Sequence, residues 1–166
     1  MLEHIWPSLP AEFREELMLQ CVKCLKGMPA ECDAFARIVA DITKSRPQTV
    51  KSQWRLSNVY GTKLALAREP QRASPFFAIA FMSVRQPEVT ALYKALGVVH
   101  TDLAVDESSI VTNPPTQAQF ARVLEKGLEG TSSDAVRCMV AIIADAGIDS
   151  WQWPARNALE ASLATR

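Results

Sequence analysis

Apolar residues recur along most of the chain at the three- and four-residue spacing that places side chains on one face of an α-helix. Between Pro10 and Lys26, for example, Phe13, Leu17, Cys21 and Leu25 fall on one stripe. Similar stripes follow, bounded by prolines, glycines or capping serine and threonine residues. They predict helices over about residues 10–26, 30–44, 48–67, 74–82, 87–96, 116–128, 133–146 and 154–163.

Two of these segments are apolar on nearly every side. They run from Phe76 to Met82 and from Val136 to Ile143. A helix without a polar face is expected in the core, so both are predicted to be central buried helices. No segment keeps the alternation of apolar and polar residues that predicts a β-strand. We therefore expect an all-α fold, a single compact domain (1–166) of seven or eight helices built from αα-hairpins.

Two stretches of the chain resemble each other. Residues 29–39 and 115–124 share Phe-Ala-Arg followed by two aliphatic residues, and each begins a helix that is followed by another helix. A pseudo-repeat of residues 29–67 and 115–147 would give a short helical-repeat arrangement. Chance similarity of this kind is also common in an alanine-rich helical chain.

Residues 98–115 keep no helical spacing. The segment contains acidic residues and the pair Pro114-Pro115 but no lysine or arginine. We expect a long acidic loop with at most a short helical or extended piece, and loops of this length are often functional.

The net charge is zero, but the charged residues are segregated along the chain. Residues 37–94 hold ten Lys and Arg against three Asp and Glu, and both flanking segments are acidic. Because the apolar run inside this segment is expected to be buried, only the predicted third helix and its connectors can present the charge. The candidate partner- or polyanion-binding residues are Lys44, Arg46, Lys51, Arg55, Lys63, Arg68 and Arg72.

Segregated charge favours binding to an oppositely charged macromolecule. The first hypothesis is a non-enzymatic interaction module, an adaptor or assembly subunit that binds another protein or a second copy of itself. Aromatic residues often anchor such interfaces. The candidate aromatics are Trp54, Tyr60, Trp6, Trp151 and Trp153, although the last three are equally suited to packing within the domain.

The alternative hypothesis is an RNA- or DNA-binding helical protein of the nucleoprotein or coat-like kind. In that case the basic side chains would follow the phosphates, and Trp54 or Tyr60 would stack on an unpaired base. The sequence pI of about 6.7 is lower than dedicated nucleic-acid-binding domains usually have.

Residue types that bind zinc are present in Cys21, Cys24, Cys32 and His4, because thiolate and imidazole are its usual ligands. Cys21 and Cys24, however, lie one turn apart on an apolar stripe, where reduced, buried cysteines are common. No metal site is therefore expected.

A catalytic reading would rest on His100 with Asp102, Asp106, Ser108 and Ser109. These residues are the types of a general base, an orienting carboxylate and a nucleophile, but no nucleophile elbow accompanies them. The sequence also lacks a glycine-rich phosphate-binding loop. We expect no cofactor, and an enzyme or zinc protein ranks below both binding hypotheses.

The N-terminal residues lack a basic segment followed by an apolar one, and no apolar run approaches the length of a membrane span. Four cysteines in a chain of this size fit reduced thiols better than a disulfide framework. We expect a soluble, intracellular protein without a membrane partner.

Overall fold

The computed structural model describes residues 1–146 and 148–164. Within them the chain forms eleven α-helices, a 3₁₀ turn at Trp6–Ser8 and one short β-hairpin, which confirms the all-α prediction. The helices are α1 (Leu2–Ile5), α2 (Ala11–Leu25), α3 (Pro29–Thr43), α4 (Pro47–Arg55), α5 (Tyr60–Arg68), α6 (Pro70–Val84), α7 (Gln86–Leu96), α8 (Glu107–Thr112), α9 (Gln117–Lys126), α10 (Ser133–Asp145) and α11 (Asp149–Ala164). The hairpin strands are β1 (His100–Thr101) and β2 (Ala104–Val105).

The helices group into two compact units. We call Trp6–Val84 the basic unit, because it holds eleven Lys and Arg against seven Asp and Glu. We call Met1–Ile5 together with Arg85–Arg166 the acidic unit, because it holds seven Lys and Arg against eleven Asp and Glu. The charge segregation along the sequence is thus a segregation between folded units. The single domain over 1–166 stays a prediction.

In the basic unit, α2 packs mainly against α6, and α3 packs mainly against α4 and α5. The contact between α2 and α3, which short-loop geometry predicts to be an antiparallel pair, is smaller than either of these. Phe35 of α3 lies at the centre of the unit, with its ring centroid 5.6 Å from that of Trp54 and 5.6 Å from that of Phe76. Stacked aromatic pairs at this distance add to the free energy gained by burying the rings.

The prediction of one long third helix over residues 48–67 is wrong, because α4 ends at Arg55 and α5 begins at Tyr60, with a turn between them. Both helices bury one apolar face in the same unit, so the helical spacing of apolar residues continues through the break. Periodicity alone therefore gives no sign of the turn.

Two backbone hydrogen bonds stabilise the turn between α4 and α5. The Asn58 N–H donates to the Gln53 carbonyl over 2.9 Å, and the Ser57 N–H donates to the Trp54 carbonyl over 3.1 Å. Ser57 has φ 59°, in the left-handed region. These two bonds around a left-handed residue form the Schellman motif that ends many helices. The Asn58 side chain then accepts a hydrogen bond from the Tyr60 N–H over 3.0 Å, where α5 begins.

Two other helices end in the same way. Lys44, with φ 55°, ends α3, and Gly97, with φ 71°, ends α7. Glycine is the usual residue in this conformation because it has no Cβ. Of the three ends, only the one at α7 therefore carries a glycine that marks it in the sequence.

The apolar segment Phe76–Met82 is not buried on all sides, contrary to prediction. It belongs to α6, which begins at Pro70 and continues through Pro75. Ala73, Phe77, Ala80 and Phe81 are buried on one face, whereas Ile79 is 46% exposed. Because α6 is packed on one face only, an apolar sequence did not require full burial here.

The second apolar segment behaves as predicted. All ten residues from Ala135 to Ala144 in α10 are buried, and α10 packs against α11, α9 and α1 within the acidic unit. The ten include Arg137, whose guanidinium lies 3.6 Å from the Asp134 carboxylate. Ser132 caps this helix as expected, since its hydroxyl accepts a hydrogen bond from the Ala135 N–H.

The pseudo-repeat stays a prediction. Residues 29–67 contain α3, α4 and α5, whereas the described residues of 115–147 contain α9 and α10. Residue 147 lies outside the described part of the chain. Among the helices of the described residues, none has the combined length and apolar character that crossing a membrane requires.

The left-handed conformation of Ser57 can be tested by substitution. A left-handed conformation costs a residue with a side chain roughly 1–2 kcal/mol and costs glycine almost nothing. Ser57→Gly should therefore raise the free energy of unfolding by about 0.5–1 kcal/mol, measured by urea denaturation followed by circular dichroism. Ser52→Gly, on the exposed side of α4, should lower it by a similar amount. A decrease in both variants would contradict the assigned geometry.

Candidate interaction surface

The predicted basic residues connect helices of the basic unit. Lys63 Nζ lies 2.6 Å from Glu15 Oε2 and so joins α5 to α2. Lys51 of α4 donates a hydrogen bond to Asp33 of α3, and this bond, followed by the lysine charge, lowers the pKa of Asp33. Both lysines therefore have a partner within the unit.

A third connection joins α6 to α3. Arg72 Nη1 lies 2.9 Å from Asp41 Oδ2 and 2.6 Å from Glu69 Oε2. Lys44 Nζ lies 3.8 Å from the other carboxylate oxygen of Asp41. The Arg72 hydrogen bond, followed by the Lys44 charge, lowers the pKa of Asp41, and the two carboxylates raise the pKa of Arg72.

Exposed ion pairs of this kind contribute little to stability, because water and salt screen the attraction. Their larger effect is on charge, because four of the seven predicted basic residues are paired with carboxylates of the same unit. Arg46, Arg55 and Arg68 have no ion-pair partner among the described residues. A single surface built from all seven residues stays a prediction, and these three arginines are the ones left for an external partner.

One unpaired arginine lies next to exposed apolar side chains. At the turn between α4 and α5, Leu56 is 82% exposed and Tyr60 is 71% exposed, and Arg55, which directly precedes Leu56 in the chain, is exposed as well. We call Arg55, Leu56 and Tyr60 the α4–α5 corner. The turn places Trp54 and Val59 in the core and leaves the three side chains of the corner exposed to solvent.

Trp54 is not available as a binding aromatic. It is 4% exposed, and its indole N–H donates to the Thr62 hydroxyl over 2.9 Å inside the core. A Cβ added at Gly61 would lie 3.2 Å from Val39 Cγ1, so glycine allows α5 to approach α3 closely. The stacking role predicted for Trp54 therefore does not fit the structure.

The other tryptophans differ in exposure. Trp6 contacts Phe77 edge to face at 4.9 Å, and the buried Trp151 stacks on Tyr93 at 6.1 Å. Trp153 is 56% exposed, and the Arg156 guanidinium lies 5.3 Å from its ring centroid. Only Trp153 of the three presents most of its ring to an external partner.

The acidic loop is more ordered than its sequence suggests, since it contains the β-hairpin and α8. The Asp106 N–H extends the hairpin by donating to the Val99 carbonyl over 2.9 Å. The Asp106 carboxylate accepts hydrogen bonds from the Ser108 hydroxyl (2.6 Å) and N–H (3.0 Å) and so caps α8. The bond from the Ser108 hydroxyl is the main cause of the lowered pKa of Asp106.

This segment also exposes apolar side chains beside carboxylates. Val99 is 59% exposed and lies next to Asp106 across the hairpin. Val111 is 67% exposed, and Glu107 is on the same face of α8 because four residues separate them. We call Val99, Asp106, Glu107 and Val111 the acidic patch.

The residues of the catalytic hypothesis have structural contacts. His100 Nδ1 lies 3.0 Å from the Val98 carbonyl, and its ring is 5.3 Å from that of Tyr93. Asp102 occupies the turn of the hairpin with φ 50°. Asp106 is bonded to Ser108 and Ser109 as a helix cap. These are the contacts of a hairpin followed by a capped helix.

The candidate zinc ligands are not grouped. Cys21 is buried, Cys24 and Cys32 are half-buried, and His4 is exposed. Over residues 1–146 and 148–164, no three His, Cys, Asp or Glu side chains are placed to hold a metal ion together. The fourth cysteine, Cys138, is buried in α10, and burial raises the pKa of its thiol to about 12. Since the thiolate is the reactive form, Cys138 is unreactive near neutral pH.

No family model matches this chain, and no match was found among curated proteins or solved structures. Its function is therefore argued from its own side chains.

The hydrogen bond between Trp54 and Thr62 joins α4 to α5 beneath the surface, and its contribution to stability can be tested. Thr62→Val keeps the shape of the side chain but leaves a buried indole N–H without an acceptor, which should cost about 1–3 kcal/mol of unfolding free energy. In a Trp54→Phe background the same change should cost at least about 1 kcal/mol less, because the donor is gone. Equal costs in both backgrounds, measured by urea denaturation, would contradict the role of this bond.

Proposed function

We propose that the chain is a non-enzymatic interaction module whose basic unit binds an acidic protein surface through the α4–α5 corner. The observation that carries the proposal is the corner itself: two large exposed apolar side chains, Leu56 and Tyr60, beside Arg55, which has no ion-pair partner among the described residues. Large apolar side chains that stay exposed together at one site are typical of interaction surfaces.

The three side chains supply different parts of a binding interface. Tyr60 and Leu56 provide apolar area, and tyrosine loses little conformational freedom on binding because its side chain has few rotatable bonds. Arg55 provides a fork of donors that matches a carboxylate. The excess positive charge of the basic unit favours acidic partners during diffusion and disfavours basic ones.

The proposal can be tested by affinity capture from extracts of cells that produce the chain. Arg55→Glu with Leu56→Ser should reduce the amount of specifically captured protein about tenfold or more, because both the charge and an apolar anchor are lost. The matched control is Lys23→Glu, since Lys23, like Arg55, is an exposed basic residue in the last turn of a helix of the same unit.

The control should capture the same proteins as the unchanged chain. Identical capture by the corner variant would contradict the proposal. Circular dichroism of each variant separates loss of binding from loss of folding.

A second candidate function is binding to single-stranded nucleic acid, and the exposure of Tyr60 beside Arg55 favours it. An exposed aromatic ring can stack on a base, and the neighbouring arginine can contact a phosphate. Trp54 no longer contributes to this hypothesis because it is buried.

A fluorescent single-stranded oligonucleotide at low and high salt tests this second function. If the chain binds RNA or DNA, affinity should fall steeply with salt, and Tyr60→Ala should weaken it by about 1–3 kcal/mol through the lost stacking. Lys23→Glu should have only the small effect of a changed net charge. Absence of binding at low salt would remove the nucleic-acid hypothesis and leave the protein-binding one.

A further inference from the structure

We infer that the α4–α5 corner of one copy binds the acidic patch of a second copy, so that the chain assembles head to tail. This inference rests on the proposed function, since it uses the same corner and names the partner. It follows from a property of the two surfaces together: each combines exposed apolar side chains with charged ones that have no ion-pair partner in the described part of the chain, and the two charges are opposite.

The basic side of the contact is the corner. Arg55 ends α4. Leu56 follows it within the Schellman motif, and Tyr60 begins α5. The corner thus combines two exposed apolar side chains with a guanidinium that has no ion-pair partner within residues 1–146 and 148–164.

The acidic side of the contact has the same composition with the sign reversed. Val99 lies beside Asp106 across the hairpin, and Val111 lies one helical turn from Glu107. No lysine or arginine occurs in the sequence between Lys94 and Arg122 to neutralise these carboxylates from within the segment. Two valines thus lie beside two carboxylates.

Charge complementarity favours a corner-to-patch contact over the other two ways in which these surfaces of two copies could meet. A corner placed against another corner would oppose two arginines, and two acidic patches would oppose four carboxylates, both of which are unfavourable. A corner against an acidic patch pairs arginine with carboxylate and buries apolar side chains from both sides. Such a contact joins unlike surfaces, so a pair of copies still has one free corner and one free patch, and assembly proceeds to rings or filaments.

Sedimentation velocity over a range of concentrations tests the inference. The unchanged chain should form species larger than a dimer at high concentration, and high salt should reduce their size because the contact is partly electrostatic. Arg55→Glu, which disables the corner, and Glu107→Lys with Val111→Ser, which disables the patch, should each weaken association about tenfold or more.

Two controls match these variants in charge. Lys23→Glu makes the same change as Arg55→Glu in the last turn of α2. Glu125→Lys reverses an exposed carboxylate of α9 in the acidic unit that is not one of the four patch residues. Both controls should associate like the unchanged chain if position, and not net charge, determines the contact.

Mixing the two disabled variants gives the sharpest result. The Arg55→Glu copy keeps an intact patch, and the Glu107→Lys, Val111→Ser copy keeps an intact corner. Each variant alone should be monomeric, whereas an equal mixture should associate through the intact patch of one variant and the intact corner of the other. Recovery of association on mixing also shows that both variants are folded.

The outcomes separate this inference from the proposed function. A chain that stays monomeric at every concentration overturns self-assembly, and a patch variant that associates normally overturns the assignment of the acidic patch as the partner of the corner. If capture of another protein still depends on Arg55 and Leu56 in that case, the proposed function stands with a different partner. If neither self-association nor capture depends on the corner, both are wrong.

Discussion

The left-handed backbone at Ser57 is the constraint on which the candidate surface depends. Without this conformation, α4 and α5 would continue as one helix, and helical geometry alone would determine which side chains between them are buried. The turn instead places Trp54 and Val59 in the core and leaves Leu56 and Tyr60 in solvent. One backbone conformation therefore fixes the packing of α4 and α5 against α3 and also the apolar content of the corner.

The basic residues divide into two groups with different physical roles. Lys44, Lys51, Lys63 and Arg72 each pair with a carboxylate of the basic unit, so their charges act mainly within that unit. Arg46, Arg55 and Arg68 have no such partner among the described residues. A count of charges along the sequence treats both groups alike, and only the positions of the carboxylates distinguish them.

Much of the fold is predictable from the sequence, because α2, α3, α7, α9 and α10 have clear apolar stripes and recognisable ends. The candidate site is less predictable. The break after Arg55 has no glycine or proline, since Ser57 takes the left-handed conformation that glycine usually provides. Helical spacing places Trp54 with Val50 on the buried face of α4, but it does not show the acceptor of the indole N–H, which is Thr62 of the next helix.

The pairing of the basic residues gives the acidic ones an unexpected influence. Asp41 contacts both Lys44 and Arg72, so the loss of this one carboxylate would release Lys44 and leave Arg72 paired with Glu69 alone. Glu15 and Asp33 hold a lysine each in the same way. The positive charge that a partner encounters therefore depends on carboxylates that do not have to contact the partner. Substitution of these carboxylates would change the affinity even if every basic residue stayed the same.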